Sequence, residues 1–382
     1  MQLTTSSILN VTVLSGIAVL ILYFLLKSQR FINQLTFGVL FGCLAMLFIR
    51  MVLPVEYRFA ITIPEKNILP IIRMDFLEIP IAAIGDYNID MEHFLYIVWV
   101  VGIPIFSLKT IYEFITLRKL ALNGQPIKDQ NILDSLELAL HKCKKKKKFQ
   151  LICVKNIETP MIFGIRKPCI FLPDIVLSKE EWIYILKHEI THYYHGDLLI
   201  KYFLALFTII YWWNPFAHIL NRQVSKILEL HTDNTIIQDL EEEERLDYAA
   251  CLLHVSKQQL SKNKRNDFAI SFIDSKNFSI SQRFHFITAN KSQKKKKYSS
   301  SFALIPMIAI TLFSFCFIFE AYFIRTGDMS EDILTFTPEN AYLIKTVDGT
   351  YDIYYNHERC GNSKTGKIGV DLPIYNSKDD VP

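Results

Sequence analysis

Long apolar runs with few charged side chains are the feature that most constrains how this chain can fold. The first run covers residues 8–26, and a helix that crosses a bilayer needs about 20 apolar residues. No basic residue precedes this run and Lys27 follows it, which is the reverse of a cleavable signal peptide. Together with three further apolar runs, the sequence predicts four transmembrane helices, at about residues 8–26, 31–49, 93–115 and 302–324.

The composition agrees with a membrane protein and excludes three other classes. Hydrophobic residues make up 51% of the chain and charged residues 21%, whereas soluble domains average about 25% charged residues. With 28 Phe and 18 Tyr, the chain is neither disordered nor collagen-like. Its 7 cysteines are scattered and form no CxxC, so a disulfide-rich secreted scaffold is excluded as well.

The charges between the apolar runs predict the orientation in the membrane. The link 27–30 has two bases and no acid, and residues 116–301 have 29 bases and 19 acids. Residues 50–92 have 4 bases and 7 acids, and residues 325–382 have 6 bases and 10 acids. Because basic segments stay in the cytoplasm, we expect the link and the long middle segment inside. Both termini and the 50–92 loop then lie outside a multi-pass protein of the cytoplasmic (inner) membrane.

This orientation gives four expected regions. They are a membrane domain (1–116) with three transmembrane helices and an outer loop (50–92), a cytoplasmic domain (117–301), a fourth transmembrane helix (302–324) and an extracytoplasmic tail (325–382). The middle segment is the part that is long enough for a soluble domain. The tail contains the triplet 364–366, Lys-Thr-Gly, but is too short for a penicillin-binding fold.

Two lysine clusters flank the middle segment, at 142–148 and 291–297. Each is interpreted either as a solvated linker or as a site of attraction to anionic lipid head groups. The second cluster directly precedes the fourth apolar run, which favours membrane lipid as a partner there. No helix-turn-helix pattern accompanies either cluster, so direct nucleic-acid binding is not expected.

The chemistry of the chain is concentrated in a helix that contains an HExxH motif. His188 and His192 are four residues apart, so both imidazoles project from one helical face. That spacing suits two ligands of one tetrahedral Zn²⁺. Glu189 lies beside them and is the candidate general base, because a carboxylate suffices when zinc lowers the pKa of water to about 7.

A third ligand is expected from the ExxxD pair Glu229 and Asp233. One carboxylate of this helical face would bind zinc and the other would orient a ligand histidine. Rival third ligands are His195, Asp197 and His231; Asp197 is also expected to shape the turn after the HExxH helix. Since His188 and Glu229 must meet at one metal, the apolar stretch 198–220, broken at Asn214-Pro215, cannot be a single crossing.

These residues, with several other segments, resemble the BlaR/MecR family of membrane metallopeptidases. The matching segments are 159–173 (TPMIFGIRKPCIFLP), the HExxH motif, Gly196-Asp197, Trp212-Trp213-Asn214-Pro215, ExxxD, Tyr248-Ala249, Leu252-Leu253 and Arg283. The resemblance covers roughly residues 1–325. It implies a mostly α membrane protein with four transmembrane helices, in which a cytoplasmic α+β zinc peptidase domain of the gluzincin type is inserted between helices 3 and 4.

The resemblance also implies the function and the site. It implies His188, His192 and Glu229 as zinc ligands and Glu189 as the catalytic base of an endopeptidase. In that family an outer signal activates the protease, which cuts itself and inactivates a cytoplasmic repressor. This chain departs from the family's β-lactam receptors because only 58 residues follow residue 324, so antibiotic sensing by the chain alone is in doubt.

Two other functions remain open from the sequence. One is a membrane-protein quality-control protease of the HtpX type, and the other is a non-catalytic membrane receptor with a structural zinc site. The intact Glu189 disfavours the receptor, because a closed structural site needs no base. Residues 161–165 and 168–172 are also predicted as short strands, which form either plain core or an edge that binds a peptide substrate. The sequence leaves open whether the chain forms an oligomer.

Overall fold

The computed structural model describes residues 4–77, 79–84, 87–143, 147–154, 157, 159–262, 280–289, 301–321, 340–346, 350–355, 358–363, 372–375 and 381. The chain divides into two compact units, 1–321 and 322–382. The second lysine cluster, part of the first, and the triplet 364–366 lie outside the described residues.

The first unit is mostly helical, as predicted. Its helices are α1 (Thr5–Leu25), α2 (Gln29–Ile32), α3 (Phe37–Val52), α4 (Ile68–Ile72), α5 (Met91–Asn123), α6 (Gln130–Lys142), α7 (Lys179–His195), α8 (Asp197–Ile210), α9 (Pro215–Gln238), α10 (Glu242–Lys262), α11 (Ile280–Ala289) and α12 (Ile305–Cys316), with a π-helical turn at Arg73–Leu77.

Three small sheets accompany these helices. Their strands are β1 (Ile61–Glu65), β2 (Pro80–Ile84), β3 (Tyr87–Asp90), β4 (Gln150–Cys153), β5 (Met161–Phe163), β6 (Cys169–Leu172) and β7 (Phe317–Ala321). The pair β1–β7 is parallel and the pair β2–β3 is antiparallel. In the third sheet the order is β4-β6-β5, with β4 parallel and β5 antiparallel to β6.

The second unit contains a four-stranded sheet. Its strands are β8 (Ala341–Lys345), β9 (Tyr351–Tyr355), β10 (Glu358–Ser363) and β11 (Ile374–Tyr375), in the order β10-β9-β8-β11. Ala341, Leu343 and Leu372 form its buried core. The rings of Tyr342 and Tyr354 stack at 5.3 Å on facing positions of β8 and β9.

Two helices in the described part of the chain are long and apolar enough to cross a membrane, α1 and α5. Two further apolar helices, α3 and α12, are shorter. The large side chains of α5 are mostly exposed, and a helix that is apolar on all sides is expected either in a core or in lipid. These positions correspond to the four apolar runs, although the helix bounds differ from those expected.

The fourth predicted helix differs most from the structure. It was expected over 302–324, but α12 ends at Cys316, and Phe317 adopts an extended backbone (φ −127°, ψ 139°). Strand β7 follows at once and pairs in parallel with β1 of the 50–92 loop, with Ile61 opposite Phe317. The change is possible because aromatic and β-branched residues such as Phe317 and Ile318 suit a strand as well as a helix, and the ladder satisfies their backbone groups.

The apolar stretch after α7 forms a helical hairpin. Helix α8 ends at Ile210, and α9 begins after Asn214, whose side chain accepts a hydrogen bond from Phe216 N (2.9 Å). Pro215 occupies the first helical position, where its missing N–H costs nothing. The stretch is therefore a hairpin rather than one continuous helix.

The tip of this hairpin, residues 211–214, contacts two of the apolar helices directly. The indole of Trp99 donates to Ile210 O (2.8 Å) and the indole of Trp212 donates to Trp99 O (3.2 Å). The hydroxyl of Tyr211 donates to Met51 O at the end of α3. Just past the tip, the ring of Phe216 lies against Gly16 of α1. The hairpin is thereby inserted among α1, α3 and α5.

One hydrophobic core joins the apolar helices to the helices of the middle segment. Its buried side chains include Leu22 of α1, Leu44 of α3, Leu220 of α9, Tyr248 of α10, Phe286 of α11 and Met307 of α12. A second core packs α6 and α7 against the three-stranded sheet through Leu136, Ile170 and Leu186. Helix α7 therefore lies between the sheet and the helices of the first core.

We expect a methyl group at Gly102 of α5 to destabilise the hairpin contact. A Cβ at this position would lie 2.2 Å from the Trp212 ring, and overpacking of this kind costs about 1–3 kcal/mol. Gly102→Ala should therefore lower the apparent Tm in detergent. The matched control is Gly42→Ala on α3, where a Cβ meets nothing within 4 Å and the better helix propensity of alanine should leave the Tm unchanged or raise it. Equal Tm values for the two variants would contradict this packing.

Candidate metal centre

Helix α7 carries both histidines of the HExxH motif and is fixed at both of its ends. At its start Ser178 and Glu181 form a capping box: Glu181 accepts from Ser178 N (2.8 Å), and Ser178 Oγ accepts from Glu181 N (3.2 Å). At its end Gly196 adopts a left-handed conformation (φ +77°), which favours glycine. His188 and His192 are buried one turn apart, with their Nε2 atoms 3.0 Å from each other.

Glu229 of α9 approaches both imidazoles from the opposite side. Its Oε2 lies 3.4 Å from His188 Nε2 and its Oε1 lies 3.5 Å from His192 Nε2. One ligand atom from each of the three residues fits within 4.8 Å, and no other group of this kind occurs among the described residues. The structure therefore brings the three expected zinc ligands together at one point.

The opposite side of His188 is held by a chain of hydrogen bonds. The Tyr248 hydroxyl donates to Asp233 Oδ1 (2.7 Å), so its oxygen is free to accept from His188 Nδ1–H (2.9 Å). Asp233 Oδ1 itself lies 3.6 Å from His188 Nδ1. Asp233 was expected to orient a ligand histidine, and the structure places the Tyr248 hydroxyl between the two groups.

His192 is held on its opposite side by Asp197. The Nδ1–H of His192 donates to Asp197 Oδ2 (2.5 Å), and Thr232 Oγ1 lies 3.2 Å from the same nitrogen. Asp197 is the first residue of α8 and is 2% exposed. It was expected to shape the turn after α7, and the structure shows that it also contacts a histidine of the motif directly.

The donor set fits a divalent metal ion. With both Nδ1 atoms used as hydrogen-bond donors, each imidazole in its neutral form has its lone pair on Nε2, and both Nε2 atoms face Glu229. The two nitrogens are 3.0 Å apart and can share one cation, either a proton or a metal ion. Two imidazoles and one carboxylate are a known ligand set of catalytic zinc sites, which keep a fourth position open.

The charges in the centre shift the pKa of its members. Burial by itself raises the pKa of Glu229, but the facing His192 and His188, together with Arg283, hold it well below its usual value. Burial opposes the charged form of His192, yet Glu229 and Asp197 raise its pKa to about 10. Burial and Asp233 raise the pKa of Tyr248 well above 10. Tyr248 therefore stays a neutral hydroxyl that can bridge Asp233 and His188.

Glu189 directly follows His188 on α7 and is buried, with 7% of the residue exposed. It is adjacent to the first histidine in the sequence and is not part of the three-residue cluster. This is the arrangement that the HExxH spacing predicts for a general base.

The rival third ligands lie elsewhere. His195 and His231 pack on each other at 4.2 Å, and His231 also packs on Phe37 and Phe41 of α3. Burial and the neighbouring His231 lower the pKa of His195 to about 4. Asp197 contacts His192 on the nitrogen opposite the cluster. None of the three belongs to the cluster found among the described residues.

Sequence reasoning assigned no role to Tyr248 or Arg283, which both contact the centre. Arg283 of α11 makes two hydrogen bonds to Asp233, each 2.7 Å long, and its Nη1 lies 3.2 Å from Glu229 Oε2. Both residues appeared only as parts of the family resemblance. No local spacing pattern could have connected them to α7, because they lie on helices far along the chain.

Comparison with known proteins supports the resemblance. The family model described as BlaR1 peptidase M56 matches residues 81–287, a range that contains the whole centre. The regulatory protein BlaR1 of Bacillus licheniformis is 30% identical over 162 residues, which are 41% of this chain and 26% of that protein. The methicillin resistance mecR1 protein of Staphylococcus aureus is 25% identical over 219 residues, which are 56% of this chain and 37% of that protein.

A further relative is the regulatory protein BlaR1 of Staphylococcus aureus, 23% identical over 160 residues that make up 41% of this chain and 27% of that protein. The matched part of the chain thus spans between about a quarter and two fifths of the length of these relatives.

Removing the carboxylate behind His192 should weaken metal binding. Asp197→Asn keeps the size of the side chain but loses the charge that orients Nδ1–H, and changes of this kind cost about 10–100-fold in metal affinity. The control is Asp134→Asn on α6, away from the centre, where the carboxylate accepts a hydrogen bond from Gln130 (2.7 Å). Zinc affinity is measured by competition with a chromophoric chelator. An unchanged affinity in Asp197→Asn would contradict the role assigned to this hydrogen bond.

Proposed function

The chain belongs to the BlaR1 peptidase M56 family, and from this premise we propose that it is an integral-membrane zinc endopeptidase that transmits a regulatory signal. The observation that carries the proposal is the meeting of His188, His192 and Glu229 at one point beside Glu189. The names of the relatives, a regulatory protein and a methicillin resistance protein, support a regulatory role.

The proposed reaction is hydrolysis of a peptide bond. A zinc ion held by His188, His192 and Glu229 would supply a Lewis acid that polarises the scissile carbonyl and acidifies water. Glu189 takes a proton from the attacking water and gives it to the leaving amine. Asp197, and Asp233 through Tyr248, keep the Nδ1–H tautomers of the two histidines, so that both Nε2 atoms remain available as ligands.

The edge strand β5 is the proposed place for an extended substrate. It lies at one side of the β4-β6-β5 sheet and packs against α7. The loop that follows it is fixed to α7, because the Tyr193 hydroxyl donates to Ile165 O (2.7 Å). A protein segment added to this edge would be held by main-chain hydrogen bonds. We propose that the substrate is the chain itself, a cytoplasmic repressor, or both.

The hairpin α8–α9 supports a connection between the membrane helices and the centre. One end of α8 carries Asp197, and the second half of α9 carries Glu229. The tip contacts α3 and α5, and Phe216 just past the tip contacts α1. Helix α8 is 14 residues long, about 21 Å at 1.5 Å per residue. A shift of the apolar helices would therefore move Glu229, which is one ligand, and Asp197, which is the hydrogen-bond partner of the ligand His192.

We propose a four-helix topology with both termini outside. The membrane domain is 1–116, the peptidase domain is 117–301 in the cytoplasm, and the last membrane segment begins at about 302 and ends with α12 at Cys316. Strand β7 and the tail 325–382 then lie outside. The charge distribution supports this orientation. The pairing of β1 with β7 also supports it, since the 50–92 loop and the end of the last membrane segment must lie on the same side. The four-stranded sheet of the second unit is then the part available to an outer ligand or partner.

Replacing the proposed base should separate metal binding from catalysis. Glu189→Gln should bind zinc with nearly the affinity of the unchanged protein and lose cleavage by at least about 100-fold, since general-base catalysis contributes about 10²–10⁴-fold. The control is Glu180→Gln in the exposed first turn of α7. Both variants are purified in detergent and assayed for zinc content. They are also assayed for cleavage of the chain itself and of a repressor encoded by a neighbouring gene. Undiminished cleavage by Glu189→Gln would refute the mechanism.

The orientation is tested by cysteine labelling in intact cells. The exposed cysteines Cys153, Cys316 and Cys360 are first changed to serine. Ile68→Cys then places one thiol in the 50–92 loop, and Val176→Cys places one in the peptidase domain. Ile68 is 65% exposed and Val176 is 86% exposed. A membrane-impermeant maleimide should label position 68 in intact cells and position 176 only after lysis. Labelling of position 176 in intact cells would contradict a cytoplasmic peptidase domain.

A further inference from the structure

Arg283 of α11 contacts two carboxylates of the metal centre at the same time. Its Nε donates to Asp233 Oδ2 and its Nη2 donates to Asp233 Oδ1, both at 2.7 Å. Its third nitrogen, Nη1, lies 3.2 Å from Glu229 Oε2. The side chain is 13% exposed and the facing Asp233 is fully buried. All three guanidinium nitrogens are thus directed at the centre.

These contacts reach two metal ligands by separate routes. The direct route ends at Glu229 Oε2, the oxygen that faces His188 Nε2 at 3.4 Å. The indirect route passes from Asp233 Oδ1 to the Tyr248 hydroxyl and from there to His188 Nδ1. One guanidinium therefore fixes the carboxylate ligand and, through two side chains, the first histidine.

The geometry requires arginine and not simply a positive charge. The two parallel hydrogen bonds to Asp233 use the planar fork that arginine has and lysine lacks. An ammonium group could neutralise Asp233, but it could not hold both of its oxygens and reach Glu229 as well. Lysine at position 283 would therefore keep the positive charge beside Asp233 and lose the contact with Glu229.

The position of Arg283 is set by the packing of α11. Phe286 and Ile287 of this helix are buried in the core that also contains side chains of α1 and α3. The neighbouring Gln282 O accepts from Gln29 Nε2 of α2 (3.4 Å), in the link between α1 and α3. The guanidinium is therefore held against the centre by a helix that is itself packed on the membrane domain.

We propose that Arg283 is a positioning residue of the metal centre, which sets Glu229 directly and His188 through Asp233 and Tyr248. The proposal deepens the proposed function and rests on the same three ligands. It differs from a purely structural role, in which the guanidinium does no more than neutralise the buried Asp233.

Four variants of the full-length protein in detergent distinguish these roles: Arg283→Gln, Arg283→Lys, Asp233→Asn and the double variant Arg283→Gln with Asp233→Asn. The control is Arg222→Gln at an exposed position of α9. The readouts are Zn²⁺ affinity by chelator competition, apparent Tm, and kcat and KM for cleavage. Arg283→Gln should weaken zinc binding about 10–100-fold, the usual effect of losing a partner that orients a ligand, and should lower kcat more than KM. Arg283→Lys should recover Tm better than it recovers zinc affinity.

The double variant decides the question even if Arg283→Gln folds poorly. The buried side chains at positions 233 and 283 are both neutral in this variant, so its Tm should recover toward that of Asp233→Asn. Its zinc affinity should remain at least about tenfold below that of Asp233→Asn, because Glu229 still lacks Arg283 as its partner. Equal zinc affinities for the double variant and Asp233→Asn would overturn the proposal, and so would an Arg283→Gln variant with unchanged affinity. Failure of the proposed function would look different: the unchanged protein would bind zinc and cleave no substrate, and the affinity differences would persist.

Discussion

The centre depends on hydrogen bonds made on the sides of His188 and His192 that face away from it. Because Tyr248 and Asp197 each accept from an Nδ1–H, both Nε2 lone pairs point to the place where Glu229 enters. Asp197 lies on α8, Tyr248 lies on α10 and Glu229 lies on α9. The site therefore exists only when four helices are packed, and its geometry is a property of the whole unit rather than of the motif.

The helices that form the centre are packed in the same hydrophobic core as the apolar helices. Helix α9 carries Glu229 in its second half and Phe216 near its start, where the ring lies against Gly16 of α1. Helix α11 carries Arg283 and buries Phe286 among the same apolar side chains. A centre assembled on such helices is sensitive to their arrangement, as the proposed transmission of a signal requires.

Much of the site could be predicted from local patterns. The HExxH spacing, the capping box at Ser178 and the ExxxD pair each lie within one helix, where the period of 3.6 residues decides which side chains share a face. The roles of Tyr248 and Arg283 could not be predicted this way, because their contacts join helices that are distant in sequence. Asp197 was expected at the turn, but its contact with His192 depends on the angle between α7 and α8. For the fold, the apolar runs located four apolar helices, α1, α3, α5 and α12. The change from α12 to β7 at Phe317 depends on the pairing with β1, and short apolar runs do not distinguish helix from strand.

The most direct test of the central claim is X-ray absorption at the zinc edge on the full-length protein, purified in detergent and loaded with one equivalent of zinc. We expect nitrogen and oxygen ligands with the scattering pattern of two imidazoles, and the loss of one imidazole in either His188→Ala or His192→Ala. A ligand set that contains sulfur from any of the 7 cysteines, or one that is unchanged in both histidine variants, would contradict the claim.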